Sequence, residues 1–232
     1  MTLEELVKKY PKVEPYIRNM PAEIRKRYTI RTFPPGTIIH QKQFKLDYFG
    51  IVCSGSHRCI NEFENGSVFM IEKNDPIDFI GEVTILAGME ETSVTIQTLT
   101  ACTVLMISRK DFESWIEQDI QFLRMVAQKV AFKLYRSSYT RGERLFYPPS
   151  FLVLDYLLRY GKEYGIKEGR PMTVKKTRQE LCEELGMTVK TINRTIARLK
   201  EDGLVSIQKG KMVVDYGQFE RGKEALSEYK KL

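Results

Sequence analysis

The sequence predicts an α+β protein of two domains: an antiparallel β-sandwich or barrel, a long helix, and a second, largely helical domain. Three observations carry this expectation. Short β-branched and aromatic runs separated by Gly, Pro, Asn and Asp fill residues 28–107. From Ser108 the apolar period lengthens to helical steps, and Pro148-Pro149 then breaks the chain before another helical pattern begins. A length of 232 residues, 42% apolar and 29% charged, suits two globular domains, each able to build a core.

Four runs read as strands: Ile38-Ile39, Tyr48 to Val52, Val68 to Ile71 and Thr103 to Ile107. Their turns are Pro34-Pro35-Gly36, Ser54-Gly55-Ser56, Glu64-Asn65-Gly66 and Asn74-Asp75-Pro76. Ser108 is a helix cap, and Phe112, Ile116, Leu123, Val126, Val130 and Leu134 follow at helical steps, which predicts one helix to about Ser138. Its stripe packs on its own domain or forms a two-helix seam in a dimer, and the flanking Lys and Arg favour the dimer. After Pro149, Phe151 to Tyr160 predicts a helix, Gly161 to Gly169 a polar loop, and the remainder helix up to Gly203.

The most specific local signal spans residues 177–199. Thr177 followed by Glu180 is a capping box that satisfies two backbone donors reciprocally, Leu181 and Leu185 give an apolar face, and Gly186 allows the left-handed conformation that ends a helix. Thr188 caps a second helix whose Ile192, Ile196 and Leu199 share one side, a helix-turn-helix plan. Lys190, Arg194 and Arg198 line the other side with Thr191 and Asn193 nearby, and residues 185–200 contain no acid. A helix entering a major groove needs long donors for guanine or phosphate and short hydroxyls near the backbone. Val205-Ser206-Ile207 and Met212-Val213-Val214 flank a tip holding Lys209 and Lys211, a wing placed to touch phosphate.

The net charge of +7 points to an acidic partner, and its distribution says more. Residues 59–108 carry eight acids and one base, so +14 lies elsewhere. Bases cluster at Arg124, Lys129, Lys133, Arg136, Arg141 and Arg144, and again over residues 175–211. No stretch approaches the roughly 20 apolar residues of a membrane span, and the first residues have no leader pattern, so a cytoplasmic chain is expected. Cys53, Cys59, Cys102 and Cys182 form no C-x-x-C pair and read as reduced thiols. No glycine-rich phosphate loop, nucleophile elbow or HExxH motif occurs, and two histidines leave little general acid-base capacity, so no enzyme is expected.

Pro35-Gly36-Thr37-Ile38-Ile39, Ile51 to Ser56, Asp78-Phe79-Ile80-Gly81-Glu82, Thr100 to Val104 and Thr177-Arg178-Gln179-Glu180 occur in an order that resembles the Crp/Fnr regulators. The resemblance implies an N-terminal antiparallel, jelly-roll-like β-roll that senses an effector (residues 1–108, with N-terminal helices), a long dimerisation helix and hinge (109–145) and a C-terminal winged helix-turn-helix (146–232). It also implies a homodimer on a near-palindromic double-stranded DNA operator, acting with RNA polymerase. By position, Thr188, Val189, Lys190 and Arg194 fall where the family reads bases, and Thr177 and Gln179 where it touches phosphate. The family's best-known member has arginine and glutamate at the positions of Val189 and Lys190, so a different operator is expected. Val189 either touches a thymine methyl or packs beneath the helix.

The same resemblance places an effector pocket at Gly81, Glu82, Glu91, Thr92, Ser93, Ser137 and Ser138. Members that bind cyclic AMP pair its phosphate with an arginine, but here that position falls at Glu91, and residues 74–108 contain no Lys or Arg. A phosphate near Glu82, Glu90 and Glu91 meets like charges, so the expected signal is an unidentified small molecule, or none, rather than cyclic AMP. The alternatives are a cyclic-nucleotide-responsive regulator and a redox or haem sensor. The first is kept by Glu82 and the serine pair. The second has only Cys53, Cys59 and the histidines, His57 foremost, to draw on, and no metal or other cofactor is expected.

Overall fold

The computed structural model describes residues 1–229, with residues 139–144 described by backbone alone, so the side chains of Arg141 and Arg144 lie outside the described residues. The chain forms two compact units, Met1–Arg136 and Ser137–Leu232.

The first unit opens with a capping box. Thr2 Oγ1 accepts from Glu5 N (3.2 Å) and Glu5 accepts from Thr2 N (2.9 Å), starting helix α1 (Leu3–Lys9), beyond which lies the short α2 (Glu14–Ile17). Eight strands come next: β1 (Thr29–Phe33), β2 (Ile38–His40), β3 (Tyr48–Ser54), β4 (His57–Glu62), β5 (Val68–Asn74), β6 (Asp78–Ile80), β7 (Thr95–Thr98) and β8 (Cys102–Ser108). They pair antiparallel in two four-stranded sheets, ordered β1-β8-β3-β6 and β2-β7-β4-β5. The four expected runs fall on β2, β3, β5 and β8. Sequence patterning names no run at β1, β4, β6 or β7; of these β4, His-Arg-Cys-Ile-Asn-Glu, is mostly polar and is held in the sheet by β5 on one side and β7 on the other.

Aromatic rings tie the sheets to the helices after β8. Phe49 stacks on Phe112 (centroids 4.0 Å apart) and Trp115 on Phe122 (3.9 Å), with Phe79 edge-on to Phe122. Ser108 caps α4 (Arg109–Gln118) by accepting from Asp111 N. The single long helix expected here is instead two. Asp119 breaks the run with φ −118°, and its carboxylate accepts from Gln121 N and Phe122 N, both at 3.0 Å, to start α5 (Ile120–Phe146). The helix also continues eight residues beyond the expected end, and Leu134 is exposed rather than packed within its own unit.

In the second unit, α6 (Pro149–Tyr164) passes straight through Gly161, where a loop was expected, and a Cβ there would lie 2.7 Å from the Phe219 ring. The glycine makes room for α9 (Tyr216–Tyr229), which patterning also misses. Residues 165–176 hold the short β9 (Met172–Thr173) rather than helix, and it joins the sheet β10-β11-β9 formed with β10 (Ser206–Gln208) and β11 (Lys211–Val214). Helices α7 (Arg178–Leu185) and α8 (Val189–Glu201) complete the unit over a core that includes Leu154, Leu181, Ile192, Leu199 and Phe219. Cys53, Cys102 and Cys182 are buried and Cys59 is half-buried, all as free thiols.

Candidate nucleic-acid interface and sensor pocket

The helix-turn-helix is built by three local devices. At Thr177 the capping box is closed by Glu180 N→Thr177 Oγ1 (3.1 Å) and Thr177 N→Glu180 Oε2 (2.8 Å). Gly186 ends α7 at φ 65°, which a side chain would disfavour, and Thr188 Oγ1 accepts from Thr191 N (3.2 Å) to start α8. The inward face of α8 buries Ile192, Thr195, Ile196 and Leu199. That fixes its outward face: Val189, Lys190, Asn193, Arg194 and Arg198 are exposed and Thr191 is half-buried. No ion pair among the described residues holds Lys190, Arg194 or Arg198, so their charge is directed at solvent. Val189 is 42% exposed, which removes the reading in which it packs beneath the helix.

Thr177 and Gln179 are exposed at the start of α7, although the Gln179 amide already donates to Glu183 (3.3 Å). Between β10 and β11, Lys209 (φ 48°) and Gly210 (φ 75°) make a turn with both central residues left-handed, the geometry that suits the twist of a two-residue hairpin. Lys209 and Lys211 stand exposed on this wing. All nine residues expected to meet DNA therefore belong to one unit, at the cap and first turn of α7, at the cap and first two turns of α8, and on the wing.

The sensor half differs more from expectation. Gly81 takes φ 93°, and a Cβ there would lie 2.9 Å from the Tyr48 carbonyl oxygen. It turns the chain into α3 (Glu82–Leu86), whose first residue, Glu82, is 2% exposed. Glu91 and Ser93 are exposed, and the buried Thr92 donates its hydroxyl to the Gln41 carbonyl oxygen (3.2 Å). Ser137 (half-buried) and Ser138 (exposed) lie on α5. Of the seven expected pocket residues, the structure thus joins Gly81 directly to a buried Glu82, while Glu91 and Ser93 face solvent.

The expectation that no cation stands near this glutamate is wrong, because the cation arrives from another element. Lys133 Nζ on α5 lies 2.7 Å from Glu82 Oε1, 3.0 Å from Asp78 Oδ2 and 3.8 Å from Glu72 Oε1. One turn either side, Lys129 donates to the Ile77 carbonyl oxygen (2.6 Å) and Arg136 to Glu72 (2.6 Å) and Asn74 (3.1 Å). Behind Asp78, His57 is 1% exposed, with Nε2 3.4 Å from Asp78 Oδ2, an ion-pair distance without hydrogen-bond geometry. Burial pushes the Glu82 carboxyl up against the pull of Lys133. Burial opposes ionisation of Asp78 too, but His57 and Lys133 outweigh it and hold that carboxyl below its ordinary value. Burial alone would lower Lys133, yet the carboxylates around it raise it, so its ammonium is firmly charged. The one available signal is the spacing of Lys129, Lys133 and Arg136 on one helical face, opposite in sign to the acidic segment.

No group of three or more His, Cys, Asp or Glu among the described residues is arranged to hold a metal ion. Burial pushes Cys53 up to about 12 and Cys59 higher still, where neither is a thiolate at neutral pH. No helix among the described residues is long and apolar enough to cross a membrane.

Comparison with known proteins follows the same division. The model of a cyclic nucleotide-binding domain matches residues 30–119, and that of a Crp-like helix-turn-helix domain matches residues 153–221. The chain is 28% identical over 182 residues to the cAMP-activated global transcriptional regulator CRP of Salmonella typhimurium, covering 78% of this chain and 86% of that protein. It is 26% identical over 197 residues to the cAMP-activated regulator Vfr of Pseudomonas aeruginosa, covering 83% and 89%. Among solved structures, the c-di-GMP responsive regulator CLP of Xanthomonas campestris shares the fold with a TM-score of 0.73 at 18% identity, over 82% of this chain and 95% of that one. A Crp/Fnr-family regulator of Thermus thermophilus does so at 0.65 and 21%, over 84% and 98%. Two sheets closed by a long helix, a capped helix-turn-helix with its wing, and two domain models matched in that order place this chain in the Crp/Fnr family of transcription regulators.

Proposed function

We propose that the protein is a homodimeric, sequence-specific regulator whose α8 reads a near-palindromic operator in the major groove. In this reading residues 1–108 sense, 109–145 connect and dimerise, and 146–232 bind DNA, in the cytoplasm and alongside RNA polymerase. The observation that carries it is the outward face of α8, where Lys190, Arg194 and Arg198 are exposed and unmatched by acids. Thr188, Val189, Lys190, Thr191 and Arg194 meet bases or the adjacent backbone. Thr177, Gln179, Lys209 and Lys211 meet phosphate. Exposed Phe132, Leu134 and Tyr135 on α5 support a two-helix seam with a second copy.

The signal is not cyclic AMP in this reading. Glu82 is engaged by Lys133, and Glu91, at the phosphate-pairing position, is an acid. A second reading, response to a cyclic nucleotide, is favoured by the cAMP-activated relatives and by the cyclic nucleotide-binding domain model that matches residues 30–119. Selection of a binding site from random duplex DNA, with affinity measured across salt, tests the first claim: sites with a shared near-palindrome and a steep salt dependence are expected. Failure to select any sequence ends it. Titration calorimetry with cyclic AMP separates the two readings, since micromolar binding that tightens operator affinity establishes the second.

A further inference from the structure

The sensor holds three carboxylates around one ammonium. Asp78 and Glu82 are more than nine-tenths buried and Glu72 nearly so, and Lys133, itself largely buried, lies within 4 Å of all three. The carboxylates come from β5, β6 and α3 and the ammonium from α5, so the cluster ties the β-roll to the helix that leaves it. Arg136 contributes a second positive charge on Glu72, against three negative ones. A further polar group is directed at the cluster: His57, 1% exposed and without a hydrogen bond on either ring nitrogen, stands 3.4 Å from Asp78 Oδ2. The balance of charge is wrong for an anionic ligand and right for a compact cation with several donors. A primary ammonium, which offers three N–H groups, suits carboxylates converging from separate elements better than a planar guanidinium does.

We propose that Glu72, Asp78 and Glu82 form a binding site for a primary ammonium, that the Lys133 side chain is its resident occupant, and that this occupancy clamps α5 to the β-roll so that DNA binding needs no diffusible effector. The clamp deepens the regulator reading above, resting on it for the coupling to DNA; the ammonium site itself does not depend on that reading. Lys133 then stands where a diffusible effector would otherwise act. Lys129, held by the Ile77 carbonyl oxygen, and Arg136 flank it on the same helical face and align the helix, but neither reaches Glu82 or Asp78.

The test is chemical rescue of Lys133→Ala in the full-length protein. Alanine keeps Cβ, and n-propylammonium supplies the missing Cγ, Cδ, Cε and Nζ. Affinity for a selected duplex is expected to fall at least about tenfold, as for a buried charge cluster deprived of its partner, and to return with n-propylammonium chloride but not with sodium chloride or n-propanol at equal concentration. Thermal unfolding gives a second readout independent of DNA: n-propylammonium raises the midpoint of Lys133→Ala and leaves Lys133→Ala/Asp78→Asn/Glu82→Gln unmoved. Rescue in both readouts supports the proposal. Unfolding that answers to propanol as well as to the amine, or to neither, overturns the site. A midpoint raised by the amine, with wild-type DNA affinity in Lys133→Ala, overturns the clamp. If wild-type protein selects no DNA, the regulator reading and the clamp fall with it, while the unfolding arm still decides the site. Should Lys133→Ala be recovered only unfolded, refolding with the amine against sodium replaces the first readout: folded protein with the amine alone supports the site, and no recovery in either overturns it.

Discussion

Replacement of Arg194 by alanine isolates base reading from everything else the protein does. Arg194 is exposed on the second turn of α8 and pairs with no described acid, and alanine is at least as good a helix former, so the folded unit loses nothing it was using. Unfolding should move by no more than about 0.5 kcal/mol, as for an ordinary surface position. The whole effect must then appear in the complex. A good bidentate contact to guanine is worth about 1–3 kcal/mol of discrimination, roughly 5- to 150-fold, and a symmetric dimer loses it in both half-sites. Lys209 is the control, since it stands on the wing proposed to meet phosphate and in a left-handed turn that alanine strains no more than lysine does. Lys209→Ala should weaken selected and scrambled duplexes by the same factor and flatten the salt dependence by about 0.9 in log-log slope for each phosphate left without its lysine. Fluorescence anisotropy on both duplexes across a salt series reads all of this. Equal loss on the two duplexes for Arg194→Ala, or selective loss for Lys209→Ala, refutes the assignment of α8 to bases and the wing to phosphate.

Three further outcomes concern the sensor half. Phe122→Ala removes a ring that is 1% exposed and stacked on Trp115, and should cost about 3–5 kcal/mol in urea unfolding; a loss below about 1 kcal/mol contradicts the aromatic junction between the sheets and α5. Gly81→Ala places a methyl 2.9 Å from the Tyr48 carbonyl oxygen at φ 93°, and should cost about 1–3 kcal/mol by the same assay, an unchanged midpoint counting against that geometry. Asp78 is held below its ordinary value of 3.8, so its ionised form contributes stability that is present above that value and is lost as pH falls through the depressed one. Asp78→Asn should therefore lower stability near neutrality and flatten its decline in acid, and a variant whose acid limb matches the wild type contradicts the electrostatic account.

The parts legible in the sequence are those built by neighbours along the chain. The caps at Ser108, Thr177 and Thr188, the left-handed stop at Gly186 and the lysine-tipped hairpin each need only a few consecutive residues, and each stands in the structure where its pattern puts it. The features that patterning misses depend on distant partners. Asp119 interrupts a stripe whose period runs on undisturbed, and Gly161 is a glycine within α6, not a turn, because Phe219, 58 residues later, needs the space of its side chain. The polar β4 is a strand because β5 and β7 flank it. The chain around Glu82, residues 74–108, holds no base, and the cation that engages it is 51 residues away on another element.

The packing of α9 against Gly161 has a bearing on how the protein is made. Phe219 belongs to the same buried cluster as Leu154, Ile192 and Met212, so the DNA-reading unit lacks part of its interior until the ribosome has passed that residue. The buried clusters of the first unit end at Val126, so that unit can fold earlier, as N-terminal units generally do during synthesis. A nascent chain stalled or cut short ahead of α9 would carry a formed first unit without a stable second one, and on the proposed function such products would be poor competitors for the DNA sites of finished ones.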